Sequence, residues 1–169
     1  LHLRAGVAFD DFETTLQVAL RIGMRQPQDL RPAEDCVERR AQLVRKCGEK
    51  LVFQPGTFQI KFGVLELRAL YKLTYAFFCN VEEAQRILGV ETRDLPTLLR
   101  KMHELGPKLV FITDGIKGAY ATDGADMWYM PVYPHDPYER TGAGDAFSST
   151  TAIALLMGKS VPEALKWGP

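Results

Sequence analysis

The sequence predicts a doubly wound α/β fold, a mostly parallel sheet with helices on both faces and an added β-hairpin, and three observations predict it. Short apolar runs, Lys50-Leu-Val-Phe-Gln, Leu73-Thr-Tyr-Ala-Phe-Phe-Cys and Lys108-Leu-Val-Phe-Ile-Thr, alternate with segments of helical period. Each run stops at a turn or cap signal, respectively Pro55-Gly56, Asn80 and Asp114-Gly115. Near-continuous apolar strands joined through helices are parallel strands, which need crossover connections and are covered on both faces. The pattern then changes, because Gly118-Ala-Tyr-Ala-Thr and Met127-Trp-Tyr-Met-Pro-Val flank Asp123-Gly124, a tight-turn dipeptide. That is a hairpin.

Taken in order, residues 5–28 have helical spacing in places (Phe12, Leu16, Ala19, Leu20, Gly23) until Gly-Met-Arg-Gln-Pro-Gln breaks it. Pro32-Ala-Glu-Asp opens a second helix, with acids in its first turn, Arg45 and Lys46 in its last, and Gly48 as C-terminal cap. Further helices are expected around Leu65 to Tyr71, from Glu82 to Leu88 closed by Gly89, and from Leu95 to Leu105 ending at Gly106-Pro107. Beyond His135-Asp-Pro, the stretch Tyr138-Glu-Arg-Thr-Gly-Ala-Gly-Asp leads into a small-residue helix, Ala146 to Met157, closed by Gly158. A last helix starts near Ser160, where Ser160 and Glu163 fit a capping box. No repeat, low-complexity tract or linker divides the chain, so residues 1–169 read as one α/β domain.

The chain has 169 residues, 46% of them apolar, with 21 Lys and Arg against 21 Asp and Glu. Zero net charge gives no global reason to bind nucleic acid or an anionic membrane, so a polyanionic partner must be small and locally held. No run approaches the roughly 18 apolar residues of a membrane span. Cys36, Cys47 and Cys79 are odd in number and lack CxxC spacing, against a disulfide framework or a zinc knuckle. A reducing cytoplasm is expected. The chain begins with Leu1 and lacks the grammar of a signal peptide, and is read as cut from something longer.

Open α/β sheets bind ligands at the carboxyl ends of their strands. There stand Gln54-Pro-Gly-Thr, Asn80-Val-Glu-Glu and Thr113-Asp-Gly-Ile-Lys-Gly, and Thr141-Gly-Ala-Gly-Asp enters a helix on the same side. Gly142-Ala143-Gly144 lets backbone N–H groups approach an anion at a helix start. Asp145 in that turn could take a proton from an alcohol attacking a γ-phosphate, while the amides stabilise the charge spreading over the phosphoryl oxygens. Asn80 and Glu83 could hold Mg²⁺ through water. Thr113, Asp114 and Gly115, followed by Gly118, could wrap nucleotide phosphates or ribose. Each also has a plain alternative, namely a helix cap, first-turn acids or a strand-ending turn.

Order and spacing decide among these. Glu139-Arg-Thr-Gly-Ala-Gly-Asp145-Ala-Phe resembles the D-T-x-G-A-G-D signature of the ribokinase-like PfkB carbohydrate kinases. Asn80-Val-Glu-Glu83 and Thr113-Asp-Gly115 resemble that family's N-x-x-E and phosphate-contacting turn, in the right order. Phe53-Gln-Pro-Gly-Thr-Phe is similar to its N-P-G turn, and Ser160 to Gly168 to the helix after the signature, so the likeness runs from about Leu51 to Pro169.

The resemblance implies that Asp145 is the catalytic base and that Gly142, Ala143 and Gly144 form the anion hole. Asn80 and Glu83 would influence Mg²⁺ and phosphate, Thr113 and Gly115 would lie along ATP, and Glu139 and Thr141 would match a monovalent-cation (K⁺) site. Two departures bear on the last: Glu139 stands where Asp is usual and Arg140 where Thr is usual. The chain resembles a carboxyl-side portion, a kinase core lacking the N-terminal sugar-binding part, the lid and the later helices. Lids in such kinases often pair, which leaves a homodimer of the complete protein open.

The implied activity is ATP-dependent transfer of the γ-phosphate to a hydroxymethyl group of a sugar or nucleoside. The alternative is a truncated, non-catalytic nucleotide-binding or interaction fragment; a receiver-like domain leaves Gly-Ala-Gly-Asp unexplained. Other candidates read as structural: His2, His103 and His135 as surface or loop residues, Lys117 as solvated, and Cys79, Phe77, Phe78, Trp128 and Tyr129 as packing.

Overall fold

The computed structural model describes residues 41, 42, 44–46, 48, 50–133 and 142–168. Among them a sheet of five strands runs in the order β1-β2-β3-β4-β5. The strands are β1 Leu51–Phe53, β2 Thr74–Asn80, β3 Leu109–Thr113, β4 Ala119–Thr122 and β5 Met127–Met130. β1, β2 and β3 are parallel. The reason lies in the connections: α1 (Thr57–Phe62) and α2 (Val64–Leu73) carry the chain from β1 to β2, and α3 (Val81–Leu88) and α4 (Leu95–Glu104) carry it from β2 to β3. β4 and β5 run antiparallel as the expected hairpin. Its turn is tied by Asp123 Oδ1, which accepts from the N–H groups of Ala125 (2.9 Å) and Asp126 (2.8 Å).

Strand alternation sends side chains to two separate cores. Phe53, Phe77, Cys79, Val110 and Ile112 pack with Leu70 and Tyr71 of α2, Ala84 of α3 and Leu98 and Met102 of α4. Val52, Ala76, Phe78 and Phe111 face the other way, onto Phe147 and Leu155 of α5 (Ala143–Leu156) and Leu165 of α6 (Val161–Leu165). Helices therefore cover both faces. Neighbouring Phe77 and Phe78 divide between them: Phe77 meets Phe53 edge-on at 5.7 Å, whereas Phe78 stacks on Phe111 at 4.6 Å.

Several boundaries differ from expectation, each for a local reason. Pro55-Gly56 ends the strand but also opens α1, with Gly56 as its extended N-cap and Gln59 Oε1 accepting the Gly56 N–H at 3.0 Å. β2 starts at Thr74 rather than Leu73 because α2 runs straight into it, the Thr74 hydroxyl donating back to the Leu70 carbonyl at 2.7 Å. α5 starts at Ala143, earlier than Ala146, since Gly142 takes the left-handed conformation that admits the helix (φ 82°). Residues 41, 42 and 44–46 are helical and Gly48 has φ 68°, as a C-terminal cap requires. The helix read over residues 5–28, the start of the one at Pro32, His2 and His135 lie outside the described residues.

Candidate active site

The parallel register brings the strand ends into one line, Phe53 beside Phe77 and Asn80 beside Thr113. At this carboxyl edge an open cleft of about 210 Å³ is walled by Gln54, Asn80, Glu83, Thr113, Gly142, Gly144 and Asp145. Phe78, Cys79 and Phe147 also line it. Gln54 follows β1, Asn80 ends β2, Thr113 ends β3, and the rest belong to α3 and the start of α5.

The start of α5 has no side-chain cap. Its first intrahelical bond is from the Ala146 N–H to the Gly142 carbonyl, 2.9 Å. The N–H groups of Ala143, Gly144 and Asp145 precede it and have no acceptor within the helix. Among the described residues, a side-chain carbon built at Gly142 or Gly144 would meet nothing within 4 Å, so they leave the space beside these donors open. N–H groups without an acceptor inside the helix, open space among the described residues and the positive end of a helix suit an anion. Asp145 is exposed on the same turn, and its Oδ1 accepts from Gln54 Nε2 at 2.9 Å.

Asn80 and Glu83 form a reciprocal capping box. The Asn80 side chain accepts the Glu83 N–H at 2.8 Å, and the Glu83 carboxylate accepts the Asn80 N–H at 2.9 Å. The plain reading of these residues as a cap is thus realised, while both still face the cleft. Burial is the main reason the Glu83 carboxyl sits above the ordinary glutamate value, with the nearby charges of Asp145 and Glu82 adding; the bond from Asn80 and the charge of Arg86 oppose it. Two carboxylates repelling across one cleft are a site a cation would relieve. Among the described residues no cluster of His, Cys, Asp and Glu makes a full protein cage. The donor set fits Mg²⁺ held through water beside phosphate.

Gly115 and Ala143 do not line the cleft. Gly115 opens a 3₁₀ turn, Gly115–Lys117, behind Thr113. That turn is fastened by Asp114, which accepts from Arg93 at 2.9 Å and pairs with Lys117 at 3.3 Å. Lys117 is otherwise exposed, as expected of a solvated lysine. Glu139 and Thr141 lie outside the described residues. Cys79 is buried, which pushes its thiol well above the usual range, in keeping with a packing role. Trp128 packs beneath the hairpin, whereas Tyr129 is exposed and leans on Tyr120 at 4.8 Å.

The sequence singles out Gln54 only as part of a turn and does not single out Ser148. The Ser148 hydroxyl meets Gln54 Oε1, closing a chain from Asp145 through Gln54 back to α5. The position of Gln54 at a strand's carboxyl end was the signal available; the link to a residue 91 positions away was not.

Fold and cleft together define a doubly wound α/β fold with an open cleft, lined by Asn80, Glu83 and Asp145, at the carboxyl edge of its sheet. The model of the pfkB family carbohydrate kinases matches residues 32–168, and the chain belongs to that family. It is 31% identical over 135 residues to a ribokinase of Haemophilus influenzae, covering 78% of this chain and 42% of the relative. A cytidine kinase of Thermococcus kodakarensis is 33% identical over 104 residues, 60% of this chain and 37% of that one. Among solved structures, Arabidopsis thaliana ribokinase complexed with ribose and ATP superposes with TM-score 0.67 at 26% identity, over 80% of this chain and 44% of that chain. The chain thus spans less than half the length of these relatives.

Proposed function

We propose that the chain carries the phosphoryl-transfer half of an ATP-dependent kinase that phosphorylates a hydroxymethyl group of a sugar or nucleoside. The observation that carries this reading is the meeting of the open start of α5, at Gly142 and Gly144, with the Asp145 carboxylate in one cleft. Asp145 takes the acceptor's hydroxyl proton as the oxygen forms its bond to the γ-phosphorus. The bond from that phosphorus to the bridging oxygen breaks and ADP leaves. The N–H groups of Ala143, Gly144 and Asp145 face the charge that builds on the transferred oxygens. Mg²⁺, when bound, neutralises phosphate charge; Asn80 and Glu83 would hold it through water, and Thr113 would lie along the nucleotide. Relatives that include a ribokinase and a cytidine kinase support the substrate class.

A second reading is a nucleotide-binding module without transfer, favoured by the exposure of Asp145 in an open cleft, since transfer rather than hydrolysis requires water to be excluded. ADP release with Mg-ATP and a panel of ribose, fructose, glucose, adenosine and cytidine separates the two. Acceptor-stimulated release that disappears in Asp145→Asn is the expected result for the kinase. An ATP-dependent rise in Tm without release in any arm selects the binding module.

A further inference from the structure

The Gln54 side chain is clasped at both ends. Its Nε2 donates to Asp145 Oδ1 at 2.9 Å, and its Oε1 accepts from the Ser148 hydroxyl. An ionised carboxylate only accepts hydrogen bonds, so the amide nitrogen must face Asp145 and the amide oxygen must face Ser148. Ser148 is buried one turn beyond Asp145 on α5, and its hydroxyl also lies 3.0 Å from the Asp145 carbonyl. The backbone of Gln54 is held as well, between β1 and Pro55, because a residue before proline is confined to extended conformations.

We infer that Gln54 is a positioning residue for Asp145: it holds one carboxylate oxygen, Oδ1, against the end of β1 and leaves Oδ2 for the proton of the acceptor hydroxyl. This rests on the kinase reading. Oδ2 has no hydrogen-bond partner among the described residues. The clasp joins two elements far apart in sequence, so the carboxylate is oriented by the sheet and not by its own exposed helix turn alone. Glutamine suits the task because it donates to the anion at every working pH and brings no charge. A carboxylate at position 54 would face Asp145 with like charge, while Glu83 already contributes one negative group from α3. Cys79, the remaining titratable side chain on the cleft wall, is buried.

The test compares the full chain with Gln54→Leu, Gln54→Asn, Gln54→Glu, Ser148→Ala and Asp145→Asn. Gln54→Leu should lower kcat on the order of 10- to 100-fold with KM for ATP and acceptor nearly unchanged, as expected for a misaimed base. Gln54→Glu, which sets a like charge against Asp145, should lose more kcat than Gln54→Leu. Gln54→Asn, one methylene short, should behave like Gln54→Leu, and Ser148→Ala should follow with a smaller loss. A merely structural role would lower the unfolding midpoint without separating kcat from KM. If Asp145→Asn abolishes turnover while Gln54→Leu keeps the wild-type kcat, this inference is overturned and the kinase reading stands. If Asp145→Asn turns over normally, the kinase reading itself fails. NMR of the same chain needs no turnover: the Gln54 side-chain amide protons should be resolved and protected from exchange, and should lose protection in Asp145→Asn and Ser148→Ala. A freely exchanging Gln54 amide in the wild type overturns the assignment.

Discussion

Asn80 and Glu83 satisfy one another's backbone across the first turn of α3, at 2.8 and 2.9 Å, and both walls of that pair face the cleft. Stability and ligand response can therefore be separated at this pair. Asn80→Ala removes the side-chain cap and should cost about 1 kcal/mol in urea unfolding. Glu83→Gln keeps a side chain able to complete the box, so its unfolding midpoint should stay close to wild type. Under the proposed function it should nevertheless weaken the Tm rise caused by Mg-ATP. A large loss of stability in Glu83→Gln with a full Mg-ATP response would reverse the assignment.

The same carboxyl sets a pH dependence with a definite sign. Burial raises Glu83 above 4.5 in the folded chain, so between its unfolded and folded values the folded state binds more protons. Its contribution to stability therefore falls as pH rises from about 4.5 through the raised value. Glu82, Asp94, Asp123 and Glu163 are shifted downward and act with the opposite sign at lower pH. The difference in Tm between wild type and Glu83→Gln across pH 4 to 8 isolates the Glu83 term. A wild type that gains on the variant as pH rises through that window contradicts it.

How far these features were legible depends on how local their causes are. The strands at Leu51, Thr74 and Leu109 and the hairpin at Asp123-Gly124 are written in short windows, and the fold follows from their alternation with helices. The Asn80–Glu83 cap is equally local, a contact three residues apart. α1 was missed because Pro55-Gly56 carries both a strand stop and a helix start in the same residues. The Gln54–Asp145 contact was not legible, since it arises only when β1 and α5 are laid side by side by the whole sheet. Phe78, read as a packing residue, is one, and it also lines the cleft.

Gly118 tests the close approach that begins the hairpin. It has φ 99°, and a side-chain carbon there would stand 2.2 Å from the Met130 carbonyl oxygen, which is backbone and cannot step aside as a side-chain end could. Gly118→Ala should therefore destabilise by about 2–3 kcal/mol, combining backbone strain with overpacking. Because β4 and β3 share a register through Ala119 and Thr113, the damage should also reach the cleft wall. Unfolding equilibrium and Mg-ATP response should both decline, and an unfolding midpoint equal to wild type would show that the hairpin end can open at little cost.

Gly144 presents the reverse case. It does not hold a positive φ, and a side-chain carbon there meets nothing within 4 Å among the described residues. The fold therefore has no need of glycine at this position, and Gly144→Ala should leave stability within about 1 kcal/mol, on the stabilising side if anything, because alanine favours a helix. The added methyl instead occupies the open space in front of the helix start, where the proposed function seats the transferred phosphoryl group. Gly144→Ala should weaken the Mg-ATP effect on Tm and lower acceptor-stimulated ADP release at least ten-fold, and Gly144→Val more so. Asp145→Asn should divide these two readouts, keeping the nucleotide effect while losing release. A Gly144→Val protein as stable and as active as wild type would remove the anion site from the start of α5.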